Sequence, residues 1–203
     1  MFMSKYQHYY KELYMEKLTS YLETLIGSED RVKKFIPVTA AVIIKKGDNN
    51  ENLVLLIQRS KNDHWPNFWE FPRGKCDNAG KGGQENLFHC LKREVKEEVG
   101  LDIIPEKLID TFDYLADKGT RKSTCYNYLC KMKDENQKVK LSKEHQNFKW
   151  ISNVGECELM LLPDQKKTIV KVLNTNKKII DYPDNEFTKN NNIEEYLRLI
   201  NKC

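Results

Sequence analysis

Residues 84–99 limit the possible folds more than any other segment of the chain. Leu87, Leu91, Val95 and Val99 recur every four residues, the spacing that lays one apolar stripe along an α-helix. Gly100 supplies the C-terminal stop. On the same helix Glu94, Glu97 and Glu98 stand at i, i+3 and i+4, within about 100° of one another at 3.6 residues per turn. The apolar stripe falls roughly a quarter turn to one side. Such a helix can bury its stripe while its carboxylates line the rim of a cleft. Like charges this close cost a few tenths of a kcal/mol per pair, about 0.2–0.5, on a solvated helix. In a partly buried site they need a cation. Hard divalent ions such as Mg²⁺ take carboxylate oxygens and keep several waters, which suits phosphate chemistry. Taken alone, KREVKEE also reads as an ordinary exposed charged face.

The flanking segments read as strands. FIPVTAAVIIKK (35–46) is a β-branched run of the kind found in buried strands. The polar GDNNEN turn leads into a second strand, NLVLLIQRS (52–60). Beyond the helix, KLIDTFDYLA and TCYNYLCKM are predicted strands joined by DKGTRKS, and NFKWIS is a short one. Residues 163–175 open on Pro with helical spacing. Residues 4–26 also carry a helical pattern, ended by Gly27, and the Asn- and Lys-rich tail holds one amphipathic stretch at 193–200. The predicted organisation is an N-terminal helical extension (1–34), a central domain (35–175) and a polar tail with a short helix (176–203).

At 203 residues with 39% hydrophobic side chains, the chain has the length of one domain with a core of its own. No run of 18 apolar residues occurs, which excludes a membrane-spanning helix. The opening MFMSKYQHYYKELYMEKL is too polar and acidic for a secretory signal; a cytoplasmic location is expected. The formal charge of +4 is uneven: between Lys118 and Lys149 nine Lys/Arg face three Asp/Glu, a local excess of +6. On charge alone this is a solvated lysine-rich hairpin or a phosphate-contacting surface. Six cysteines include no Cys-x-x-Cys pair, so reduced thiols packed as small hydrophobes are expected. Cys125 and Cys130, five apart in a strand, are predicted on opposite faces.

Glu85, Arg93, Glu94, Val95, Glu97, Glu98, Gly100 and Leu101 fill the pattern Glu, seven residues, Arg-Glu-aliphatic-x-Glu-Glu-x-Gly-aliphatic. This resembles the second part of the Nudix box. TAAVIIKK, LLIQRS and WEFPRGK precede it in the order and spacing that Nudix hydrolases show, so the resemblance covers about residues 36–175. One departure stands out. Ten residues separate Gly74 from Glu85, where the family places five. The extra Gly- and Lys-rich residues of CDNAGKGGQ read as a flexible insertion, or as a phosphate-cradling loop.

The resemblance implies an α+β fold: a Nudix α/β/α sandwich with a mixed β-sheet and a catalytic loop–helix–loop. It implies Mg²⁺ or Mn²⁺ as cofactor, held by Glu94, Glu97 and Glu98 with the carbonyl of Gly74. Water then attacks a phosphorus of a nucleoside diphosphate linked to another group. Glu98, with Glu97 beside it, is expected to carry catalysis, and Glu144 is the candidate base outside the box. Glu85 and Arg93 are implied as structural partners that hold the box. Arg73, Lys75, Trp65 and Trp69 are candidate substrate contacts, with Phe68 beside them; core packing is the alternative for the tryptophans. WEFPRGK with REVKEEVGLD is most similar to mRNA-decapping catalytic domains, which release 7-methylguanosine diphosphate. A dinucleoside polyphosphate hydrolase is the alternative, and a non-catalytic nucleotide-binding module ranks below both. The expected partner is a nucleotide or capped RNA, with no membrane and no DNA.

Overall fold

The computed structural model describes residues 34–63, 65–76, 86–117, 120–153, 161 and 163–173. The N-terminal pattern at 4–26, most of the insertion with Glu85, and the tail from 174 lie outside them. Among the described residues there are eight strands and two helices. In chain order they are β1 (Lys34–Phe35), β2 (Val38–Lys46), β3 (Asn52–Arg59), β4 (Trp69–Glu70), β5 (Arg73–Lys75), α1 (Leu87–Val99), β6 (Ile103–Ala116), β7 (Arg121–Met132), β8 (His145–Ile151) and α2 (Pro163–Leu173). Neither helix is long and apolar enough to cross a membrane.

The strands form one mixed sheet. β2 runs parallel to β7 from Val38 to Ile44. Along its other edge it pairs antiparallel with β5 near its start and with β3 near its end. β3 continues outward to β8 and β4. The continuous apolar run of β2 follows from burial on both faces. Val38, Ala40 and Val42 join Val54, Leu56, Phe71 and Cys125 under α2, through Ile169 and Val172. Ala41 and Ile43 join Leu55, Ile57 and Cys130 under α1, through Leu91, Val95 and Val99. The period-2 rule thus puts Cys125 and Cys130 on opposite faces, both as buried free thiols.

The Gly100 stop is as predicted: at φ 71° its N–H donates to Lys96 O over 3.1 Å. At the other end Asn86 Oδ1 accepts from Phe88 N, an N-cap that satisfies one orphan amide. The helix C-terminus is also held by the 137–142 segment. Lys140 N donates to Val99 O and Ser142 N to Glu98 O, each at 2.9 Å. On the far face, α2 is pinned by Gln165, whose Oε1 accepts from Phe71 N, and by Thr168, which bonds Asp110 and Asn127.

Two expectations need correction. WEFPRGK contributes two short strands, β4 and β5, where no strand was predicted; their Pro72 corner hides them from a period-2 search. Not all the cysteines are reduced, because Cys76 and Cys90 form a disulfide across a 14-residue separation. Neither residue belongs to a Cys-x-x-Cys motif, so spacing gave no sign of the pair. Cys157 and Cys203 lie outside the described residues.

Candidate active site

β5 lies beside α1, and the box residues meet there. Gly74 is needed for its lack of a side chain: a Cβ would overlap the Glu94 carboxylate. Arg93 fastens the helix to this strand, donating from Nη2 to Lys75 O at 3.1 Å. Its Nη1 reaches Glu94 at 2.7 Å and Glu97 at 3.2 Å. Glu97 stands at the rim with its side chain 59% exposed, while Glu94 is largely covered.

Glu98 faces inward. Its Oε2 accepts from the Arg73 backbone N–H at 2.8 Å. Its Oε1 lies 3.8 Å from His145 Nε2. That imidazole is also 3.6 Å from Glu70 Oε1, and its Nδ1 is 3.2 Å from Ser142 Oγ. Glu70 is 2% exposed, with Arg59 Nη1 at 2.5 Å and Arg73 Nε at 2.8 Å. Two buried carboxylates therefore flank one histidine.

Their electrostatics diverge. Burial alone would raise Glu70, but Arg73, His145 and Arg59 reverse this and hold it at about 2. Burial also raises Glu98, and here nearby Glu70 and Glu94 add to the effect. The hydrogen bond from Arg73 N and the charge of Arg73 offset only part of it, so Glu98 is held well above the usual carboxylate range. On the α1 side Glu98 therefore tends to keep its proton, while Glu94 and Glu97 share the guanidinium of Arg93.

Among the described residues no three His, Cys, Asp or Glu side chains converge closely enough to hold an ion as they stand. Arg93 occupies Glu94 and Glu97, and Glu98 is bound to the Arg73 amide. The donor set, carboxylates beside the Gly74 backbone, nevertheless has the hard-oxygen chemistry that Mg²⁺ and Mn²⁺ prefer. A divalent ion would compete for these oxygens with the Glu98 proton and with Arg93.

Other sequence candidates fall differently. Trp69 is 5% exposed and packs in the core, leaving it no face to offer a base, as the packing alternative had it. The Arg73 guanidinium is taken up by Glu70, and its contribution to Glu98 is its backbone amide. Trp65 is half-buried, edge-on to Phe68 at 5.2 Å, and Phe68 is buried. Lys75 is exposed beside Gly74, and Glu144 has an exposed side chain.

Glu70 and His145 were not among the predicted site residues. The missed signal for His145 was parity, since neighbours in an extended segment face opposite ways. Glu144 points out and His145 in. Glu70 sat inside WEFPRGK but was masked by its hydrophobic neighbours.

A family model for the NUDIX domain matches residues 36–169. The chain belongs to the NUDIX family. This NUDIX hydrolase is 30% identical over 131 residues to the mouse bis(5'-nucleosyl)-tetraphosphatase [asymmetrical], spanning 63% of the chain and 82% of that protein. Over 75 residues it is 43% identical to the yeast m7GpppN-mRNA hydrolase, covering 36% of the chain but 6% of that enzyme. A C. elegans Ap4A hydrolase structure shares the fold, with a TM-score of 0.56 at 23% identity over 68% of this chain and 94% of that one. The relatives act on phosphoanhydride bonds, and the family generally uses divalent metal cations.

Proposed function

We propose that the chain hydrolyses the phosphate bridge of a dinucleoside polyphosphate, with a dinucleoside tetraphosphate as first choice. The observation that carries the reading is the row of Glu94, Glu97 and Glu98 on one helix, with Glu94 packed against Gly74. Gly74 O and these three glutamates would hold Mg²⁺ or Mn²⁺. When bound, the ion neutralises phosphate oxygens and lowers the pKa of the attacking water. Glu98 Oε1, the oxygen not occupied by the Arg73 amide, receives the proton from that water. Burial and the neighbouring Glu70 raise the proton affinity of Glu98, and a bound cation would lower it and leave the carboxylate able to act as base. Arg93 holds Glu97 at the rim and the covered Glu94 beneath it, and Arg73 aims Glu98 through its backbone. Lys75, exposed next to Gly74, is placed to meet a phosphate, and Trp65 offers an aromatic edge nearby in sequence.

The tetraphosphate precedes the cap because the mammalian similarity runs through most of the catalytic domain, whereas the decapping similarity is confined to 75 residues. One observation favours capped RNA as the second reading. A cleft of about 410 Å³ is lined by Phe148 and Trp150 together with Lys45 and Lys138, though Glu135 also lines it. Lys45 Nζ sits 4.5 Å from the Trp150 ring centroid. Aromatic faces among lysines suit single-stranded nucleic acid. The cleft is lined by no box glutamate, so it would hold a distal part of a long substrate.

A panel of diadenosine polyphosphates, cap dinucleotide, long capped RNA, ADP-ribose and nucleoside triphosphates, each with Mg²⁺ or Mn²⁺, tests the reading. Fastest turnover of diadenosine tetraphosphate supports it. Release of 7-methylguanosine diphosphate from long capped RNA alone establishes the second reading. Tight nucleotide binding with no turnover of any substrate would leave a binding module.

A further inference from the structure

We propose that the Cys76–Cys90 disulfide is a positioning device for the catalytic cleft, through which thiol reductants weaken its hold on a divalent cation. The inference rests on the reading of Gly74 and Glu94 as cation-holding groups. Cys76 follows Gly74 by two residues at the end of β5. Cys90 precedes Glu94 by one helical turn, so the two share a helix face. The bond therefore ties together the two backbone segments that bring Gly74 against Glu94. Their Cα atoms are 5.4 Å apart, inside the usual range for a disulfide.

The surroundings are closed. Cys76 is 2% exposed and Cys90 fully buried. The buried Thr39 hydroxyl lies 3.3 Å from Cys90 Sγ and 3.7 Å from Cys76 Sγ. Thr39 pairs with Gly74 across β2 and β5, and Cys76 N donates to Pro37 O at 2.9 Å. Little slack remains around the sulfurs. The chain between the two cysteines contains the additional residues that distinguish the Gly74-to-Glu85 spacing.

Reduction acts in two ways. A dithiol breaks the bond by exchange: its two sulfurs become a disulfide, and its two protons end on Cys76 Sγ and Cys90 Sγ. Two thiols need van der Waals separation in place of a bond, which pushes β5 and α1 apart. The Cys90 sulfur also lies 3.9 Å from Gly74 O. As part of a disulfide it has no proton to donate. As a thiol it donates toward the same carbonyl oxygen that the cation would use.

The test follows Mn²⁺ binding by electron paramagnetic resonance on the full chain, before and after dithiol treatment, with non-reducing peptide mapping of the cross-link. Steady-state kinetics is run in parallel against Mg²⁺ and against nucleotide. Expected are a Cys76–Cys90 linked peptide and about tenfold weaker Mn²⁺ binding after reduction, the size of loss typical for a support behind a metal ligand. The Mg²⁺ half-saturation should rise similarly while nucleotide KM changes little. The C76A/C90A double variant should resemble the reduced protein and ignore dithiol. A thermal melt of each form confirms that it is folded, and reoxidation of the wild type should restore Mn²⁺ binding without any substitution. Equal Mn²⁺ binding by oxidised and reduced protein, absence of the linked peptide, or a dithiol-sensitive double variant would overturn the proposal. If oxidised protein binds no Mn²⁺ at all, the cation-site reading falls, and the positioning role with it.

Discussion

The cleft has two walls that carry the same residue type in opposite electrostatic condition. On the β4–β5 wall, Glu70 is buried between Arg59 and Arg73 and is held ionised, at about 2. On the α1 wall, Glu98 is almost as buried, yet its near charges include Glu70 and Glu94, and it is held well above the carboxylate range. One imidazole, His145, touches both. Burial is thus not what sets these two carboxylates apart; the charges around them are. The balanced wall fixes Arg73, and the Arg73 amide then aims Glu98. The unbalanced wall is where a cation has electrostatic work to do, a common arrangement at functional sites.

The sharpest way to break this contrast is Glu98→Gln. Loss of a positioned base should lower kcat by about 10²- to 10⁴-fold, measured by release of nucleoside phosphates. The same variant should melt at a higher temperature than wild type in chelator at neutral pH, because folding no longer has to raise the proton affinity of a buried carboxyl. A kcat within twofold of wild type would remove Glu98 from the mechanism. Glu70→Gln tests the other wall. It leaves Arg59 and Arg73 without their buried partner, a change of the kind that costs about 3–5 kcal/mol. Denaturant unfolding should show that loss; a change below about 1 kcal/mol would mean that solvent already screens the pair.

The two walls also predict opposite pH slopes. Glu70 has a depressed folded pKa, so its contribution to stability is fully present above about 4.5 and is lost as pH falls toward about 2. A shift of that size is worth up to about 3 kcal/mol. Glu98 has a raised folded pKa, so its effect runs the other way: stability falls as pH climbs above about 4.5. Metal-free protein should therefore be most stable in mildly acid buffer. Glu70→Gln should flatten the acid limb and Glu98→Gln the limb above it, as followed by denaturant midpoints across pH. A single monotonic profile, the same in both variants, would show that other groups dominate.

Much of this arrangement was legible in the sequence because it is periodic. The α1 stripe, its Gly100 stop, the doubly buried β2 and the opposed Cys125 and Cys130 all follow from spacing of 3.6 or 2. What escaped has no period. Glu70 sits in a two-residue strand before a proline corner, and its role depends on Arg59 and Arg73 arriving from other turns of the chain. The Cys76–Cys90 bond depends on β5 lying against α1, which local spacing does not encode. The lysines of the basic stretch were visible as charge but not as a surface. In the fold Lys138, Lys140, Lys143 and Lys149 are exposed, while Arg121 and Lys131 are engaged with Asp117 and Glu106.

The smallest expected effect distinguishes residues that share a segment but not an environment. Glu144 and His145 are adjacent, and Glu144 was the carboxylate that the resemblance put forward as a base outside the box. Its backbone matters locally: Ser60 N donates to Glu144 O at 2.9 Å. Its side chain is exposed, whereas the His145 ring is buried between Glu70 and Glu98. The backbone contact survives replacement of its side chain, which stands in solvent. Glu144→Gln should therefore keep kcat within about twofold and stability within about 0.5 kcal/mol, the range of a surface change. His145→Ala should lower kcat further than that, since it strips the shared neighbour from both walls. If instead Glu144→Gln lost as much activity as Glu98→Gln, the segment before β8 would have to turn inward on substrate binding. The division between the two walls would then describe only the resting cleft.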